Sequence, residues 1–460
     1  MAITKKLIHF NDSFGAFCDR GIVFSLCVLI FVLPASIALL DSFAALAVSF
    51  YFVKKIHRIA IDWPSRSVNS NFLRKIKFIW EGLAPPANCL SLPLQLLAFA
   101  FFISVLFSQY PTLSLFAFFG KFIKCVFLYF SFIEAFSNEK RIWIFLNFFL
   151  LSALITVLSG VFQHYTGKDF LKGHLIGAEN FVSTQRINAS FFSPNGFGAY
   201  LLLVIGLVLH LLFTAIVNNK SPILKGSLGF FLFLLLFCLC WTYSRSSWAG
   251  FLIMLFVMSL IDRRKILFLG ALLIVFVFIF LPFLNNIRHM RLRDGVSAGS
   301  VAKEGFSYQL KTFIVQNGSG RFNFWKKAIS IIRSSPVYGT GLNTYARILK
   351  RDPPKNRWYA HNCYLQMAAE TGLLGLACFL WMLYVLLLHG LSNCRHIKDL
   401  WALSLLQGVL SGLFGFLGQS FFDNTFYTVQ LGVLMWVFFG LMVALTRLNP
   451  MTEFQERSDG

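Results

Sequence analysis

Residues 230–241 read Phe-Phe-Leu-Phe-Leu-Leu-Leu-Phe-Cys-Leu-Cys-Trp, and no charged side chain interrupts them. The run does not alternate between apolar and polar residues, as the strands of a membrane barrel do. The run lies within the apolar stretch 226–242, whose length favours a helix that crosses a membrane. Similar runs recur along the chain, and short basic stretches separate them. The sequence therefore predicts an all-α, polytopic helical membrane protein.

Composition supports this class. Of the 460 residues, 57% are hydrophobic and 13% are charged, whereas a soluble domain averages about a quarter charged residues. We expect about twelve transmembrane helices, since each apolar run approaches the length needed to span a bilayer. The predicted spans are 21–37, 38–53, 89–107, 113–136, 143–162, 195–216, 226–242, 247–261, 266–284, 366–389, 400–420 and 429–446.

The spans divide the chain into three parts. Residues 1–284 hold the first nine spans with short loops, residues 285–364 form one large polar loop, and residues 365–460 hold the last three spans and a tail. Because apolar character continues from the first run through Val53, we interpret that run as a span rather than a cleaved signal peptide.

The large loop has a helical pattern of its own. Phe322, Trp325, Ile329 and Ile332 recur at helical intervals, which predicts an amphipathic helix near the membrane surface over residues 320–333. A second short helix is expected to begin near Asn343.

The distribution of basic residues predicts the orientation. One set of alternating short loops carries most of the lysines and arginines, whereas the other set carries only Lys168, Lys172, Arg186 and Arg245. By the positive-inside rule, both termini are cytoplasmic and the large loop faces outward. The net charge of +22 thus suits membrane topology and anionic lipids rather than nucleic acid.

The sequence offers no metal or cofactor site. Eight of its nine cysteines lie in or near apolar spans, as small buried hydrophobic residues do, and their spacing does not indicate disulfides or zinc. The outer loops lack an Asp-x-Asp pair, a Walker-type phosphate loop and a His/Cys cluster.

Polar residues stand out at two places. Arg245 lies in an outward turn, Thr242-Tyr-Ser-Arg-Ser-Ser-Trp248, where capping of the next helix explains Ser246 but not the arginine. Lys121 and Lys124 fall within the fourth predicted span, so they either face the bundle interior or lie at the interface because the span starts late.

Arg245, Arg321 and His361 all belong to outward segments. Guanidinium groups form paired, charge-assisted bonds with phosphate oxygens, and a histidine can take a proton from a hydroxyl. This set suits group transfer from a phosphate-linked donor to an alcohol, in which negative charge grows on the leaving phosphate. Each residue also has an ordinary alternative role. Arg245 could bind lipid phosphates, Arg321 could cap its helix or lie exposed on it, and His361 could start a helix with its side chain bonded to the backbone.

Several short motifs occur in a recognisable order: Arg186-Ile-Asn-Ala-Ser-Phe-Phe-Ser-Pro-Asn195, the turn at 242–248, Gly320-Arg-x3-Trp325, Pro336-Val-Tyr-Gly-Thr-Gly341, His361-Asn-x2-Leu365 and Glu370-Thr-Gly-Leu-Leu-Gly375. In order and spacing the sequence resembles the O-antigen ligase/polymerase family of bacterial membrane glycosyltransferases over residues 186–375. No single motif is specific, and the combination carries the resemblance.

The resemblance implies a metal-independent, C-type glycosyltransferase in the bacterial inner membrane, with its site facing the periplasm. Such a ligase moves a glycan from undecaprenyl pyrophosphate to a sugar hydroxyl of lipid A-core. A polymerase, or a protein O-oligosaccharyltransferase, would use the same residues with another glycan or protein acceptor. An anion transporter such as a bicarbonate transporter is the alternative from another class, although the sequence lacks the internal repeats typical of transporters.

The resemblance also implies residue roles. Arg245 and Arg321 hold the pyrophosphate, and His361 orients or deprotonates the acceptor. Arg186 is a further donor-binding residue, although Ser190 stands where many members carry glycine, and Asn195 is expected to cap the next helix. The remaining candidates for contact with the donor or glycan are Asn362, Tyr345, Lys121 and Lys124, and Asp423 is an outward carboxylate that could contact sugar.

Overall fold

The computed structural model describes residues 2–67, 72–173, 186–263, 266, 269, 270, 273, 321–349 and 359–448. Within those ranges the chain is helical, and no strand occurs. The helices are α1 (Ala2–Val32), α2 (Ile37–Ser67), α3 (Phe72–Leu83), α4 (Ser91–Leu106), α5 (Pro111–Ala117), α6 (Lys124–Ala135), α7 (Glu139–Thr166), α8 (Pro194–Val217), α9 (Pro222–Trp241), α10 (Arg245–Ile261), α11 (321–334), α12 (Tyr345–Ile348), α13 (Cys363–Asn393), α14 (Leu400–Gln419) and α15 (Val429–Arg447).

Nine candidate spans in the described part of the chain are long and apolar enough to cross a membrane, and α4 and α10 are shorter apolar helices. The prediction of an all-α polytopic membrane protein is thereby confirmed. Each predicted span outside 266–284 overlaps one of these helices, except 113–136, which covers α5, α6 and the turn between them. The span 266–284 lies almost wholly outside the described residues. The count of twelve transmembrane helices stays a prediction. All nine cysteines are free thiols.

Glycines bring the central helices close together. A Cβ atom on Gly206 of α8 would lie 2.7 Å from the Gly408 carbonyl oxygen of α14. Likewise, a Cβ atom on Gly250 of α10 would lie 2.6 Å from the Gly415 oxygen. Small residues allow such backbone approach between membrane helices. Helices α8, α10 and α14 therefore form a tight central group.

Several helices share one end of the bundle, which we call the site end. There α14 finishes beside the starts of α8 and α13, because Gln419 donates a hydrogen bond to the Asn195 carbonyl at 2.7 Å and the Cys363 N–H donates to Ser420 at 2.9 Å. Since α13 and α15 both begin at this end, Asn393 and Arg447 mark the opposite end.

The large loop is fastened to a break in α13. At Gly372 the backbone has φ +71° and ψ 178°, a conformation almost restricted to glycine. The N–H of Gly341 donates to the Glu370 carbonyl at 2.8 Å, and that of Leu373 donates to the Pro336 carbonyl at 2.8 Å. The Pro336–Gly341 motif and the Glu370–Gly375 motif are thus the two sides of one backbone seam.

The predicted helices of the loop are present. Residues 321–334 form α11, and α12 begins at Tyr345. Alanine 328 and Ile331 of α11 are buried against Tyr345, while Phe322 on the same helix is 53% exposed. The helix is therefore two-faced, but the face buried in the protein holds Ala328 and Ile331, whereas Phe322 and Ile329 of the predicted apolar row are exposed.

Candidate active site

Four charged groups act on one another at the site end. Burial lowers the pKa of the Arg186 guanidinium, the Asp423 carboxylate opposes this effect, and the positive charges of Arg321 and Arg245 lower the pKa further. These residues come from the segment before α8, the start of α10, α11 and the α14–α15 loop. Segments far apart in the chain therefore bring the charges of Asp423, Arg321 and Arg245 within electrostatic range of Arg186.

Asp423 pairs with His361. The Nδ1 atom of His361 lies 3.4 Å from Asp423 Oδ1, and that oxygen also accepts a hydrogen bond from the Asn424 N–H at 2.8 Å. Burial raises the pKa of Asp423, but the bond and charge of His361, the Asn424 N–H and the charge of Arg321 together lower it below its ordinary value. Asp423 is thus a carboxylate at neutral pH.

This pairing defines what the imidazole can do. When Nδ1–H of the neutral ring donates to Asp423, Nε2 is the acceptor that can take a proton from a hydroxyl. The His361 backbone has φ +51°, a conformation that costs free energy in residues other than glycine. Sequence reasoning missed the pair. A histidine that acts as a base usually has a third group, often a carboxylate, to orient it. A search for a carboxylate in the outward loops would therefore have pointed to Asp423 as the partner of His361.

Arg186 links two segments of the site. Its Nε donates to the Thr242 carbonyl at 2.9 Å, and its Nη2 donates to Asn195 Oδ1 at 2.8 Å. Asn195 therefore holds Arg186. The expectation that it caps the helix was wrong, because Ser193 caps α8 by accepting from the Gly196 N–H at 3.1 Å. The positive φ in this turn belongs to Ala189, so Ser190 does not need to be glycine.

Arg245 is the first residue of α10 and is exposed. Ser244 caps this helix by accepting a hydrogen bond from the Ser247 N–H at 3.3 Å, so the expectation that Ser246 is the cap was wrong. A cation at a helix N-terminus adds to the positive end of the helix dipole and is unfavourable by itself. An anion placed there would be attracted by both the guanidinium and the dipole.

Residues 230–380 match the model of a protein family described as O-antigen ligase. Over this segment the chain is similar to the O-antigen ligase family. The segment includes Arg245, Arg321 and His361, whereas Arg186 and Asp423 lie on either side of it. The match supports an activity of the O-antigen ligase or polymerase type. A search of curated proteins found no match to the chain.

A buried polar network supports the His361–Asp423 pair. Gln366 Oε1 accepts hydrogen bonds from Asn424 Nδ2 at 2.6 Å and from the Ala360 N–H at 3.2 Å. Gln366 Nε2 donates to Glu370 Oε1 at 3.1 Å, and Glu370 Oε2 accepts from the Asn343 N–H at 2.9 Å. The network therefore joins the residue before His361 and the residue after Asp423 to α13. Sequence reasoning did not find this network.

Two predicted ligand-binding residues have structural partners. The Tyr345 side chain is 1% exposed, and its hydroxyl donates to the Phe324 carbonyl at 3.1 Å. Asn362 caps α13 by accepting hydrogen bonds from the N–H groups of Tyr364 and Leu365, both at 2.9 Å. The polar groups of both side chains are thus satisfied by the protein itself. Tyr345 supports α11, and Asn362 fixes the segment that carries His361.

Lys121 and Lys124 occupy different surroundings. Lys121 lies in a π-helical turn, Phe118–Ile123, that joins α5 to α6, and its Nζ donates to Asn343 Oδ1 at 2.8 Å. Lys124 forms an ion pair with Asp41 of α2 at 2.6 Å. Both lysines line a mostly apolar cavity of about 130 Å³ between α4, the π turn, α13 and α15. The described residues contain no group of three or more His, Cys, Asp or Glu side chains that could hold a metal ion.

Proposed function

We propose that the protein is a metal-independent O-antigen ligase, which transfers a glycan from undecaprenyl pyrophosphate to a sugar hydroxyl of lipid A-core. The reaction takes place at the periplasmic face of the bacterial inner membrane, with both termini of the chain in the cytoplasm. The observation that carries the proposal is the cluster of Arg186, Arg245 and Arg321 beside the His361–Asp423 pair.

Each group has a step to perform. The acceptor hydroxyl gives its proton to Nε2 of His361 as its oxygen bonds to the anomeric carbon of the donor sugar. The bond between that carbon and the pyrophosphate oxygen breaks, and its electron pair leaves with the pyrophosphate. Asp423 stabilises the resulting imidazolium, while the arginines stabilise the leaving group with charge-assisted hydrogen bonds.

The arginines divide this task. Arg186 already uses Nε and one Nη2 bond to hold Thr242 and Asn195, so it positions the cluster and contributes charge. Arg245 and Arg321 supply the paired bonds to phosphate oxygens. The cavity beside Lys121 and Lys124 has apolar walls that suit part of the polyprenyl chain.

An O-antigen polymerase or a protein O-oligosaccharyltransferase would use the same donor steps, and only the acceptor differs. Transport of an anion through the span of Lys121 and Lys124 has less support, because Asp41 compensates the charge of Lys124 and Lys121 binds Asn343.

A reconstituted transfer reaction tests the proposal. Purified undecaprenyl-pyrophosphate glycan and lipid A-core are mixed with the wild type, Arg321→Ala, His361→Ala or Arg333→Ala, with a chelator present. Arg333 is an exposed arginine on α11 and serves as the matched control. We expect transfer by the wild type and Arg333→Ala, and its loss in the other two variants. A folded wild type that does not transfer the glycan to lipid A-core would refute the proposal, and transfer to a growing glycan or to a protein instead would favour the polymerase or the O-oligosaccharyltransferase.

A further inference from the structure

A second charged pocket lies at the opposite end of the bundle, where α2 and α6 approach the end of α15. Its volume is about 400 Å³, within the range of about 300–1,000 Å³ typical of ligand pockets. Four cations and one carboxylate line it: Lys54, Lys55, Arg58, Arg447 and Glu134. The pocket is therefore positively charged, and it is separate from the site of His361.

The floor of the pocket is a buried ion-pair network. Lys54 Nζ lies 2.6 Å from Asp19 Oδ1 and 2.9 Å from Glu134 Oε1, and Lys55 Nζ lies 3.4 Å from Glu134 Oε2. The two lysines are 8% and 7% exposed. Lys55 also donates a hydrogen bond to the Ala84 carbonyl at 3.1 Å. These contacts hold α1, α2 and α6 together and fix the lysines in place.

The rim differs from the floor, because Arg58 and Arg447 are exposed. Arg447 Nη2 donates to the Ala87 carbonyl at 3.0 Å, which fixes the arginine beside the segment that follows α3. Arg58 lies on the rim one helical turn after Lys54. Two guanidinium groups above a lysine floor match the preference of phosphate oxygens for planar, charged donors.

Helix α3 places this rim near lipid headgroups. It carries Arg74, Lys75 and Lys77 together with an exposed Trp80, which is 75% exposed. Such a basic amphipathic helix lies in the membrane interface, and tryptophan favours the headgroup region. The segment that follows α3 contributes Pro86 to the pocket. The ligand most easily reached from this position is therefore a lipid headgroup.

We propose that this pocket binds the phosphate of an anionic lipid, with Arg58 and Arg447 as its rim and Lys54 and Lys55 as its floor. Basic pockets between membrane helices recognise phosphate headgroups in this way. The alternative is that these charges only join the helices. That role accounts for Lys54 and Lys55, which pair with carboxylates, but, among the described residues, it gives Arg58 and Arg447 no part in the ion pairs.

The test uses two double variants of the full-length protein in detergent. Arg58→Gln with Arg447→Gln removes the rim and leaves the floor network intact. Arg395→Gln with Lys398→Gln removes two exposed cations that follow α13 at the same end of the bundle. Each protein is titrated with short-chain phosphatidylglycerol, short-chain phosphatidylcholine or inorganic phosphate, and the melting temperature and dissociation constant are measured.

We expect phosphatidylglycerol to stabilise the wild type and the control, and to bind the rim variant about thirtyfold more weakly, as the loss of two cations near headgroups implies. Equal weakening in both double variants would show a general effect of surface charge and overturn the proposal. Equal stabilisation by inorganic phosphate, with the same dependence on the rim, would overturn the lipid assignment in favour of free phosphate. Absence of stabilisation by phosphatidylglycerol would also refute it.

Discussion

Replacing Asp423 with asparagine removes the negative charge next to His361 while keeping a side chain of the same shape. An asparagine oxygen can still accept the Asn424 N–H, which donates to Asp423 Oδ1 at 2.8 Å. The charge-assisted bond to His361, at 3.4 Å, is lost. The variant therefore tests the pair without removing the support of the loop.

The expected size of the effect follows from that bond. A hydrogen bond to a charged group contributes about 1.5–3 kcal/mol, and about 1.4 kcal/mol corresponds to a factor of ten in rate. Because the His361 side chain is 38% exposed, solvent screening favours the lower end of this range. We expect kcat to fall about tenfold and KM for the donor to change little, since the imidazolium forms only during the reaction.

The assay is transfer of undecaprenyl-pyrophosphate glycan to lipid A-core under initial-rate conditions. Asp399→Asn is the matched control, because Asp399 accepts a hydrogen bond from the Ala402 N–H at 2.7 Å and caps α14 at the opposite end. Wild-type kcat in Asp423→Asn, or an equal loss of kcat in Asp399→Asn, would refute the assignment of the pair to the chemical step.

Three further predictions concern other groups. Arg321→Ala should lower kcat about 100- to 1,000-fold, as loss of one charge-stabilising donor does, and Arg321→Lys should recover little because lysine cannot form two parallel bonds; initial rates check both. Gly372→Ala should lower the free energy of unfolding by about 1–3 kcal/mol, since its Cβ would lie 2.0 Å from the Val337 oxygen. Gly226→Ala, with open space around it and a helical backbone, should not lower the free energy of unfolding in the same denaturant titration. Because the pKa of Asp423 is lowered from its ordinary 3.8, its contribution to stability should persist above about pH 4 and be lost on further acidification. Titrations of the wild type and Asp423→Asn at about pH 7, 5 and 3 measure this difference.

Hydropathy predicted most of the helices because burial in lipid demands long apolar segments with internally bonded backbones. Their ends followed local chemistry that hydropathy does not record. The first span was expected to end at residue 37, but α1 ends at Val32 because Pro34 has no N–H to continue the helix. The π turn at Phe118–Ile123 is likewise invisible to a pattern of apolar residues, since it changes the hydrogen bonding and not the composition.

Site residues were predictable in kind but not in pairing. The resemblance singled out Arg245, Arg321 and His361, and the structure places their segments at one end of the bundle. The partnership of His361 with Asp423 depends on how two loops meet in space, which residue spacing alone does not specify. The capping errors have a similar origin. The chain turns at Tyr243, with φ +48°, and this turn places Ser244 rather than Ser246 at the helix start.

The separation of 62 positions between His361 and Asp423 has a consequence for biosynthesis. A ribosome adding about 5–20 residues per second needs several seconds to make this interval. During that time His361 has no carboxylate partner, although the arginines have already been synthesised. On the proposed function, the nascent chain can hold the charged donor lipid before it can complete the proton-transfer pair, so catalysis begins only once the loop between the last two helices has been made.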